Sequence, residues 1–508
     1  MTNSAPNVLK LKEDLLKGGG AEKVEQQHTS GKMTARERIN KILDKDTFVE
    51  TDVFVKARDN GFIADQAPCE GVVTGFGTVN SRPVYVYAQD YTVLSGSLSE
   101  MHAKKIVKIM DMAKASGVPV VAVMDSAGAR IQEGVDALSG YASIFAKITE
   151  LSGVVPQIAV VAGPCIGASA IAASLCDITI AVEEISSIGA FSGSVYDAKN
   201  GIDYKSDLAS AEFAGSVSGL AEVVCESEDA AYDELKKLLD FLPSSNMEDA
   251  PEDAPADDIN RNTPELDAYI ANASYDVKQI ITAVSDNGAF FEISAGYAKS
   301  AVCGFMRINS RSVGVVANQP IVDGGVITGD AAKKMASFVS LCDSFNLPVV
   351  TMVDTVGLIC SSEAEKAGIV KDAAKIAFTY ASATVPKVTL LLNKATGSAY
   401  SLMASKTLGA DMVYAWPSAS IEILPAGTAA QIVYEDEIKA SDDPQKARAE
   451  YTKKFAEYNS SPAAAAQRGY VDDIIDPINT RPILAAALEM LYSKYSDMPA
   501  KKHGNMPL

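Results

Sequence analysis

The feature that most constrains this chain is an internal duplication with a nearly constant spacing. Val155-Pro156 recurs as Val385-Pro386, and Gly167 recurs as Gly397, in both cases 230 residues later. Three further matches have an offset of 229 residues: Asn80-Ser81-Arg82 with Asn309-Ser310-Arg311, Val118–Val121 with Leu347–Val350, and Asp125 and Gly128 with Asp354 and Gly357. Because the residues between the matches differ, the repeat indicates one structural unit that is present twice.

The composition places a boundary between the two copies. The stretch from Leu242 to Glu265 is rich in proline, aspartate and asparagine, which is typical of a solvated linker. We therefore predict an N-terminal domain over residues 1–245, an acidic linker over 246–265 and a C-terminal domain over 266–508.

The first copy contains an uncharged stretch from Leu151 to Cys176. We interpret it as a buried strand over Gln157–Ala162, a tight loop over Gly163–Gly167 and a buried helix that starts near Ala168. Small residues let another molecule approach the loop backbone closely, and the first N–H groups of a helix have no partner within the helix. The loop is therefore a candidate oxyanion site made from main chain, and the matching loop at Gly397 is a second one.

Strands that alternate with helices in each copy predict an α/β fold with parallel strands. In such folds, ligands bind beyond the carboxyl ends of the strands. Two small-residue loops of the first copy, Ala127–Ala129 and Gly163–Ala168, fall at such ends. Asp125 and Arg130 flank the first of these loops, where they could pair and brace it or contact a ligand. The sequence leaves both readings open.

The composition of residues 7–45 predicts charged helices. Thr34 and Glu37 match the S/T-x-x-E capping box, which marks the start of a helix. We interpret this region as an N-terminal helix that docks on the first domain.

The composition disfavours several functional classes. A net charge of −20 disfavours nucleic acid and anionic membranes as partners. The seven cysteines form no CxxC pair, so neither a metal site nor a disulfide framework is predicted. The sequence shows neither a signal peptide nor a transmembrane run, so we expect a cytoplasmic protein. Only His28, His102 and His503 are present, which disfavours hydrolases that rely on histidine, and we expect His102 to be structural.

Seven segments match the motifs of one family in their order along the chain: Gly31–Ile39, Gln89–Thr92, Asp125–Gly134, Gly163–Cys165, Ala317–Pro320, Tyr414–Pro417 and Lys502–Asn505. On these motifs, the chain resembles the carboxyltransferase subunits of biotin-dependent acyl-CoA carboxylases and decarboxylases, of the propionyl-CoA carboxylase β and methylmalonyl-CoA decarboxylase α type. The resemblance implies two duplicated crotonase-like (ClpP/crotonase) domains of ββα superhelical units. It also implies a homo-hexamer whose active sites lie between the N-terminal domain of one subunit and the C-terminal domain of its dimer mate.

The resemblance implies a role for each loop. The N–H groups of Ala168 and Ser169 would hold the thioester oxygen of a short-chain acyl-CoA, and those of Ser398 and Ala399 would hold the ureido oxygen of biotin. The residues that would line the two sites are Gly167, Gly397, Ala127, Gly128, Thr396 and Ser401. In the family's mechanism, biotin takes the α-proton of the acyl-CoA, so no protein base and no metal are required.

The same resemblance implies other chains. No Met-Lys-Met biotinylation signal occurs here, so biotin would be attached to a separate biotin carboxyl carrier protein. A biotin carboxylase or a membrane decarboxylase subunit would be a further partner, and the latter would place the chain at the periphery of a membrane complex. The direction of the reaction, carboxylation or decarboxylation, stays open.

The chain departs from the family pattern at both loops. The family usually shows GPCAGGA and KAYGGAYD, where this chain has GPCIGAS (Gly163–Ser169) and KATGSAYS (Lys394–Ser401). Its DSGGAR motif appears here as DSAGAR. Alanine and serine still donate an N–H, but their Cβ atoms narrow the pockets, and Ser401 replaces an aspartate common in propionyl-type members. Two alternatives therefore stay open: a crotonase-type enoyl-CoA hydratase or isomerase, which would need a carboxylate facing the first loop, and a non-catalytic CoA-binding assembly subunit.

Overall fold

The structure is a computed structural model that describes residues 4–58, 67–191, 195, 206–253, 257–270, 274–496 and 498–507. The chain divides into two compact units, Met1–Asp249 (unit 1) and Ala250–Leu508 (unit 2). Each unit contains an eight-stranded sheet in its described residues. No helix in the described part of the chain is both long and apolar enough to cross a membrane.

The strands of unit 1 are β1 (Val49–Thr51), β2 (Val72–Val79), β3 (Arg82–Gln89), β4 (Val120–Ser126), β5 (Gln157–Ile166), β6 (Ile178–Val182), β7 (Ser187–Gly189) and β8 (Val223–Cys225). Its helices are α1 (Ser4–Leu15), α2 (Ala21–Thr29), α3 (Ala35–Ile42), α4 (Glu100–Ser116), α5 (Val135–Leu151), α6 (Ala168–Ser174), α7 (Ala211–Phe213) and α8 (Glu228–Phe241). The sheet order is β1-β2-β3-β4-β5-β6-β8, and β7 pairs with β5. The first three strands are antiparallel, and the pairings from β3 onward are parallel.

The strands of unit 2 are β9 (Phe290–Ile293), β10 (Ala301–Ile308), β11 (Arg311–Asn318), β12 (Val349–Thr355), β13 (Lys387–Thr396), β14 (Met412–Ala415), β15 (Ser420–Glu422) and β16 (Asp473–Ile474). Its helices are α9 (Asp267–Ile270), α10 (Val277–Val284), α11 (Gly329–Ser344), α12 (Ser362–Ala367), α13 (Ile369–Ser382), α14 (Ser398–Leu402), α15 (Ala426–Val433), α16 (Glu435–Ala440), α17 (Pro444–Phe455), α18 (Pro462–Gln467) and α19 (Thr480–Leu491). The order β9-β10-β11-β12-β13-β14-β16, with β15 paired to β13, repeats the plan of unit 1. The repeat found in the sequence therefore corresponds to two units with the same sheet topology.

Local signals position the elements that lead to the two loops. The hairpin of β2 and β3 turns at Asn80 and Ser81, both of which have positive φ. Thr34 and Glu37 form the predicted capping box at the start of α3. One face of β4 and β5 packs against α4 and α5, which places both strands in the core of unit 1; the contributing residues are Ala122, Met124, Ala159, Val161, Ile106, Ile144 and Ile148.

The structure differs from the predicted loop after the central strand. We expected a loop over Gly163–Gly167, but β5 continues to Ile166 because Pro164–Ile166 pair with Ser187–Gly189 of β7. The sharp turn is confined to Gly167. The helix that follows is not fully buried, since Ile171 is 53% exposed.

Two further expectations differ from the structure. The predicted linker is attached to unit 2, because Ser312 donates its N–H to Pro251 O at 3.0 Å and Thr263, which is buried, donates to Ile478 O at 2.8 Å. Residues 254–256 of that stretch lie outside the described residues. The second is the charged insert over residues 434–454, where Glu, Asp and Lys at helical spacing predict an exposed helix. The structure divides it into α16 and α17, because Asp443 caps a new helix that Pro444 begins.

Candidate active site

Both candidate loops turn at a glycine with nearly the same backbone geometry. Gly167 has φ 64° and ψ −121° at the start of α6, and Gly397 has φ 63° and ψ −146° at the start of α14. Only glycine adopts this region without strain. The N–H of Gly167 donates to Gly189 O at 2.8 Å, and that of Gly397 donates to Glu422 O at 2.7 Å. In both loops, the N–H of the turn glycine therefore bonds to the last residue of a short neighbouring strand, which is β7 in unit 1 and β15 in unit 2.

The next two amides of each loop have no acceptor within the described residues. Ala168 and Ser169 are the first residues of α6, and Ser398 and Ala399 are the first residues of α14, where helix geometry offers no carbonyl to the N–H. Each loop therefore presents two adjacent backbone donors, which is the minimum for an oxyanion site.

The side chains beside these donors are fixed or small. The hydroxyl groups of Ser169 and Tyr141 are 2.7 Å apart and hydrogen-bonded to each other, so the Ser169 side chain is engaged, whereas its N–H has no acceptor among the residues that the structure describes. Burial raises the pKa of Tyr141 to about 12, so the phenol stays protonated at neutral pH. In the second loop, Ser398 and Ser401 are exposed and Ala399 is fully buried.

A second glycine backs each turn. Gly128, with φ 103°, lies against β5: a Cβ there would be 3.8 Å from Ile166 O. Gly357, with φ 122°, lies against β13 in the same way, since a Cβ there would be 3.6 Å from Thr396 O. Of the predicted site residues, Gly128 is therefore next to the first loop and Thr396 is next to the second. Ala127 is exposed and directly precedes Gly128 in the chain. Gly357 was not among the predicted site residues, although its 229-residue offset from Gly128 pointed to it.

A cavity of about 430 Å³ adjoins the second loop. Its lining residues are Gly397, Tyr400, Ser401, Ile421, Glu422, Ile423, Phe455, Asn459, Ser460, Ala465, Arg468 and Tyr470. Apolar walls with a few polar groups and a volume in this range are typical of a small-molecule site. Sequence reasoning identified only Gly397 and Ser401 of this set, because the segment 455–470 reaches the loop only through the tertiary fold.

Asp125 and Arg130 do not pair with each other. Asp125 is fully buried and accepts hydrogen bonds from Lys32 Nζ at 2.7 Å and Arg38 Nη1 at 2.8 Å. Arg130 bonds to the carboxylates of Glu70 and Glu133 instead. Both residues brace a loop, but they do so through separate ion pairs.

His102 is a buried structural residue, as expected. Its Nδ1 lies 3.0 Å from Glu70 O, a carbonyl that can only accept, so Nδ1 carries the proton. Burial holds the pKa of His102 well below its ordinary value, so the ring is neutral. A ring that is buried and already hydrogen-bonded is a poor general base.

Comparison with known proteins gives a consistent result. Residues 26–506 match a family model described as the carboxyl transferase domain. The chain is 44% identical over 509 residues to methylmalonyl-CoA decarboxylase subunit alpha of Propionigenium modestum, with 98% of each chain covered. It is 45% identical over 495 residues to the methylmalonyl-CoA carboxyltransferase 12S subunit of Propionibacterium freudenreichii subsp. shermanii, covering 96% of this chain and 94% of the other.

Among solved structures, the fold is similar to that of transcarboxylase 12S, a hexamer described with methylmalonyl-coenzyme A and methylmalonic acid bound. The TM-score is 0.97 at 43% identity, with 100% of this chain and 98% of that chain covered. The predicted fold, two duplicated crotonase-like α/β domains, is confirmed by this match.

Proposed function

The chain belongs to the carboxyl transferase family, and from that premise we propose that it moves a carboxyl group between biotin on a separate carrier protein and a short-chain acyl-CoA. Methylmalonyl-CoA and propionyl-CoA are the acyl-CoA substrates we expect, because the similar proteins are named for them. The observation that carries the proposal is the pair of backbone donors in each of the two loops for which the described part of the chain offers no acceptor.

The first loop suits the thioester carbonyl. When a carboxyl group leaves or joins the α-carbon of an acyl-CoA, negative charge develops on the thioester oxygen. Two N–H donors at about 2.7–3.1 Å stabilise such an oxygen, and their effect is larger where water is excluded. Ala168 and Ser169 supply these donors, and the fixed Ser169 side chain keeps the second donor in place.

The second loop suits the ureido group of biotin. The adjoining cavity of about 430 Å³ is large enough for the fused bicyclic ring, and Ile421, Phe455 and Tyr470 give it apolar walls. The N–H groups of Ser398 and Ala399 would bind the ureido oxygen at the rim. Bound biotin supplies the nitrogen that exchanges the carboxyl group. Both loops therefore act by binding, and we assign no proton transfer to their side chains.

The partners follow from the same proposal. A biotin carboxyl carrier protein brings the biotin, and either a biotin carboxylase or a membrane decarboxylase subunit completes the reaction. In the second case the chain would sit at the periphery of a membrane complex. We also propose a homo-hexamer, since the similar transcarboxylase 12S forms one; native mass spectrometry of the purified chain tests this directly.

The decisive assay uses the full chain with methylmalonyl-CoA or malonyl-CoA and free biotin. We expect release of CO2 that depends on biotin and saturates with both compounds. An assay without biotin is the control. Water addition to an enoyl-CoA in place of this reaction would favour a crotonase-type hydratase, and acyl-CoA binding without any turnover would favour an assembly subunit.

A further inference from the structure

We propose that Lys32 and Arg38 are positioning residues for the first loop, where they replace a backbone amide that Pro164 cannot provide. The inference rests on the proposed function, because it assigns these two side chains to the acyl-CoA loop and not to the biotin loop. It follows from a comparison of the duplicated aspartates Asp125 and Asp354.

In unit 2 the hydrogen bonds that the aspartate accepts within the described residues come from neutral donors, including the side chain of Asn393. Asp354 Oδ1 accepts the backbone N–H of Lys394 at 3.1 Å, and its Oδ2 accepts the hydroxyl of Tyr275 at 2.8 Å. Lys394 lies in β13, just before the turn at Gly397. The carboxylate thus ties the end of this strand to β12 through a main-chain hydrogen bond.

In unit 1 the equivalent hydrogen bond cannot form. Pro164 occupies the position of Lys394 at the 230-residue offset, and proline has no N–H. The strand pairing is otherwise the same, because the register shifts between Met124 and Ser126 just as it does between Val353 and Thr355. The two units therefore share the same strand register here, and they differ in that Pro164 lacks the backbone N–H that Lys394 donates.

Side chains of α2 and of the segment between α2 and α3 supply the missing donors. Lys32 Nζ lies 2.7 Å from Asp125 Oδ1, and it also lies 4.1 Å from the centre of the Tyr91 ring. Gln27 Nε2 donates to Oδ2 at 3.1 Å. Gly163 is packed against this carboxylate so closely that a Cβ there would lie 2.0 Å from Oδ1.

Arg38 connects the same network to β5. Its side chain is fully buried, and it donates to Asp125 Oδ2 at 2.8 Å and to the carbonyl oxygen of Ala162 at 2.6 Å. Its Nε donates to Glu228 Oε2 at 2.7 Å. Two cations, Lys32 and Arg38, thus face two anions, so the buried cluster is neutral and each charge has a hydrogen-bonded partner. The strand that leads into the oxyanion turn is therefore positioned from residues 27–38, which lie before the duplicated sheet.

Restoring the missing amide tests this inference most directly. We compare the wild type, Lys32→Gln, Pro164→Ala and the double variant Lys32→Gln/Pro164→Ala in biotin-dependent decarboxylation of methylmalonyl-CoA. Lys32→Gln should lower kcat/KM for the acyl-CoA by about tenfold, because a displaced donor pair stabilises the oxyanion less well. The KM for biotin should stay within about twofold of the wild type. In the double variant, the backbone N–H that alanine restores at position 164 can bind Asp125 Oδ1, so at least about a third of the lost kcat/KM should return.

A matched variant in unit 2 checks that the effect is local. Tyr275→Phe removes a hydrogen bond from Asp354, so it should raise the KM for biotin while the acyl-CoA parameters change by less than about twofold. Gln27→Ala, which removes a neutral donor from Asp125, is the milder second variant in case Lys32→Gln folds poorly. It should shift the same parameter in the same direction by a smaller factor.

The outcomes separate the inference from the proposed function. If Lys32→Gln and Gln27→Ala change the acyl-CoA and biotin parameters equally, or if Pro164→Ala recovers nothing, the two side chains have only a structural role and the inference is wrong. In that case the wild type still shows biotin-dependent turnover. A wild type that shows no such turnover overturns the proposed function itself.

Discussion

Each unit has a pair of carboxylates immediately before its last two strands in sheet order, β6 and β8 in unit 1 and β14 and β16 in unit 2, but the charged groups around the two pairs differ. In unit 1, Asp177 accepts the N–H of Gln157 at 2.8 Å, and Glu222 accepts the N–H of Thr179 at 2.7 Å. No lysine or arginine side chain bonds to either carboxylate in the described residues. Burial raises the pKa of both groups to about 7.

In unit 2 the same backbone hydrogen bonds recur, but lysines are added. Asp411 accepts the N–H of Lys387 at 2.8 Å, and Asp472 accepts that of Val413 at 2.7 Å. Lys494 Nζ lies 2.8 Å from Asp411 Oδ2. Lys406 Nζ lies 2.8 Å from both oxygens of Asp472.

At the carboxyl ends of the strands the contrast is reversed. There unit 1 neutralises Asp125 with Lys32 and Arg38, whereas unit 2 satisfies Asp354 with a phenol and a backbone amide. The duplication thus preserved the positions of the carboxylates and the backbone bonds to them, while the charged partners diverged. Buried carboxylates need donors, but either a cation or a neutral group can provide them.

The largest expected effect comes from removing one oxyanion donor. Proline is tolerated at the first position of a helix, so Ala168→Pro should delete an N–H while the fold is retained. We expect kcat for methylmalonyl-CoA decarboxylation to fall by about 10²–10³-fold. Ser398→Pro makes the equivalent change in unit 2 and should cause a comparable loss if the two loops contribute equally.

Ala168→Gly is the control for this pair of variants, because it changes the side chain and keeps the N–H. Its turnover should stay within about threefold of the wild type. A normal rate for Ala168→Pro, measured on protein with an unchanged circular dichroism spectrum, would show that this N–H is not a catalytic donor.

The repeats in the sequence were sufficient to predict the two related units and the glycine turns. Positive φ at Gly167 and Gly397 is a local requirement, and a constant offset shows that the requirement occurs twice. The partners of Asp125 could not be predicted, because Lys32 and Arg38 are more than 80 residues away in sequence. Pairing of Asp125 with Arg130, one of the two readings that the sequence left open, does not occur for the same reason: the fold brings Lys32 and Arg38 to Asp125, whereas Arg130 bonds to Glu70 and Glu133.

The cavity beside the second loop shows the same limit. Phe455 and Tyr470 line it, yet nothing in their local pattern distinguishes them from ordinary residues of a surface helix and a turn. The attachment of the predicted linker to unit 2 could not be predicted for a related reason. Its acidic, proline-rich composition is typical of solvated chain, but backbone bonds at Pro251 and Thr263 attach it to unit 2.

A second, smaller effect, on stability, is expected when the cation beside Asp411 in unit 2 is removed, so that this carboxylate resembles Asp177 of unit 1. Lys494→Met leaves Asp411 without its cation in a site where both side chains are mostly buried. The free energy of unfolding of unit 2 should fall by about 2 kcal/mol at pH 7, between the values for exposed and buried pairs. Trp416, the single tryptophan, is buried in unit 2 with its Nε1 bonded to Thr480, so its fluorescence in a urea titration reports on this unit.

Acidification provides the control for Lys494→Met. A carboxylate without a cation gains more from protonation than a paired one, so the variant should recover part of its lost stability near pH 5. If the variant and the wild type differ by the same amount at pH 5 and pH 7, Lys494 stabilises unit 2 through packing or through its hydrogen bond to Val385 O and not through Asp411.

The smallest effect expected is on the pH dependence of unit 1. A carboxyl group whose pKa is raised in the folded state favours folding below its unfolded value near 4, and this contribution is lost as the pH rises towards 7. The wild-type unit should therefore lose on the order of 1 kcal/mol of stability per pH unit between pH 5 and pH 7. Asp177→Asn keeps an oxygen acceptor for the Gln157 N–H and cannot ionise, so it should reduce that slope by about half. Hydrogen exchange of peptides that cover Ile178–Val182, corrected for the intrinsic rate at each pH, measures the slope within unit 1.

Asp411→Asn is the matched variant in unit 2. It should lower the stability of unit 2 at pH 7, because it leaves Lys494 without its anion. Equal slopes for the wild type and Asp177→Asn would mean that Asp177 is ionised throughout this range, and the electrostatic contrast between the two units would then be restricted to Glu222.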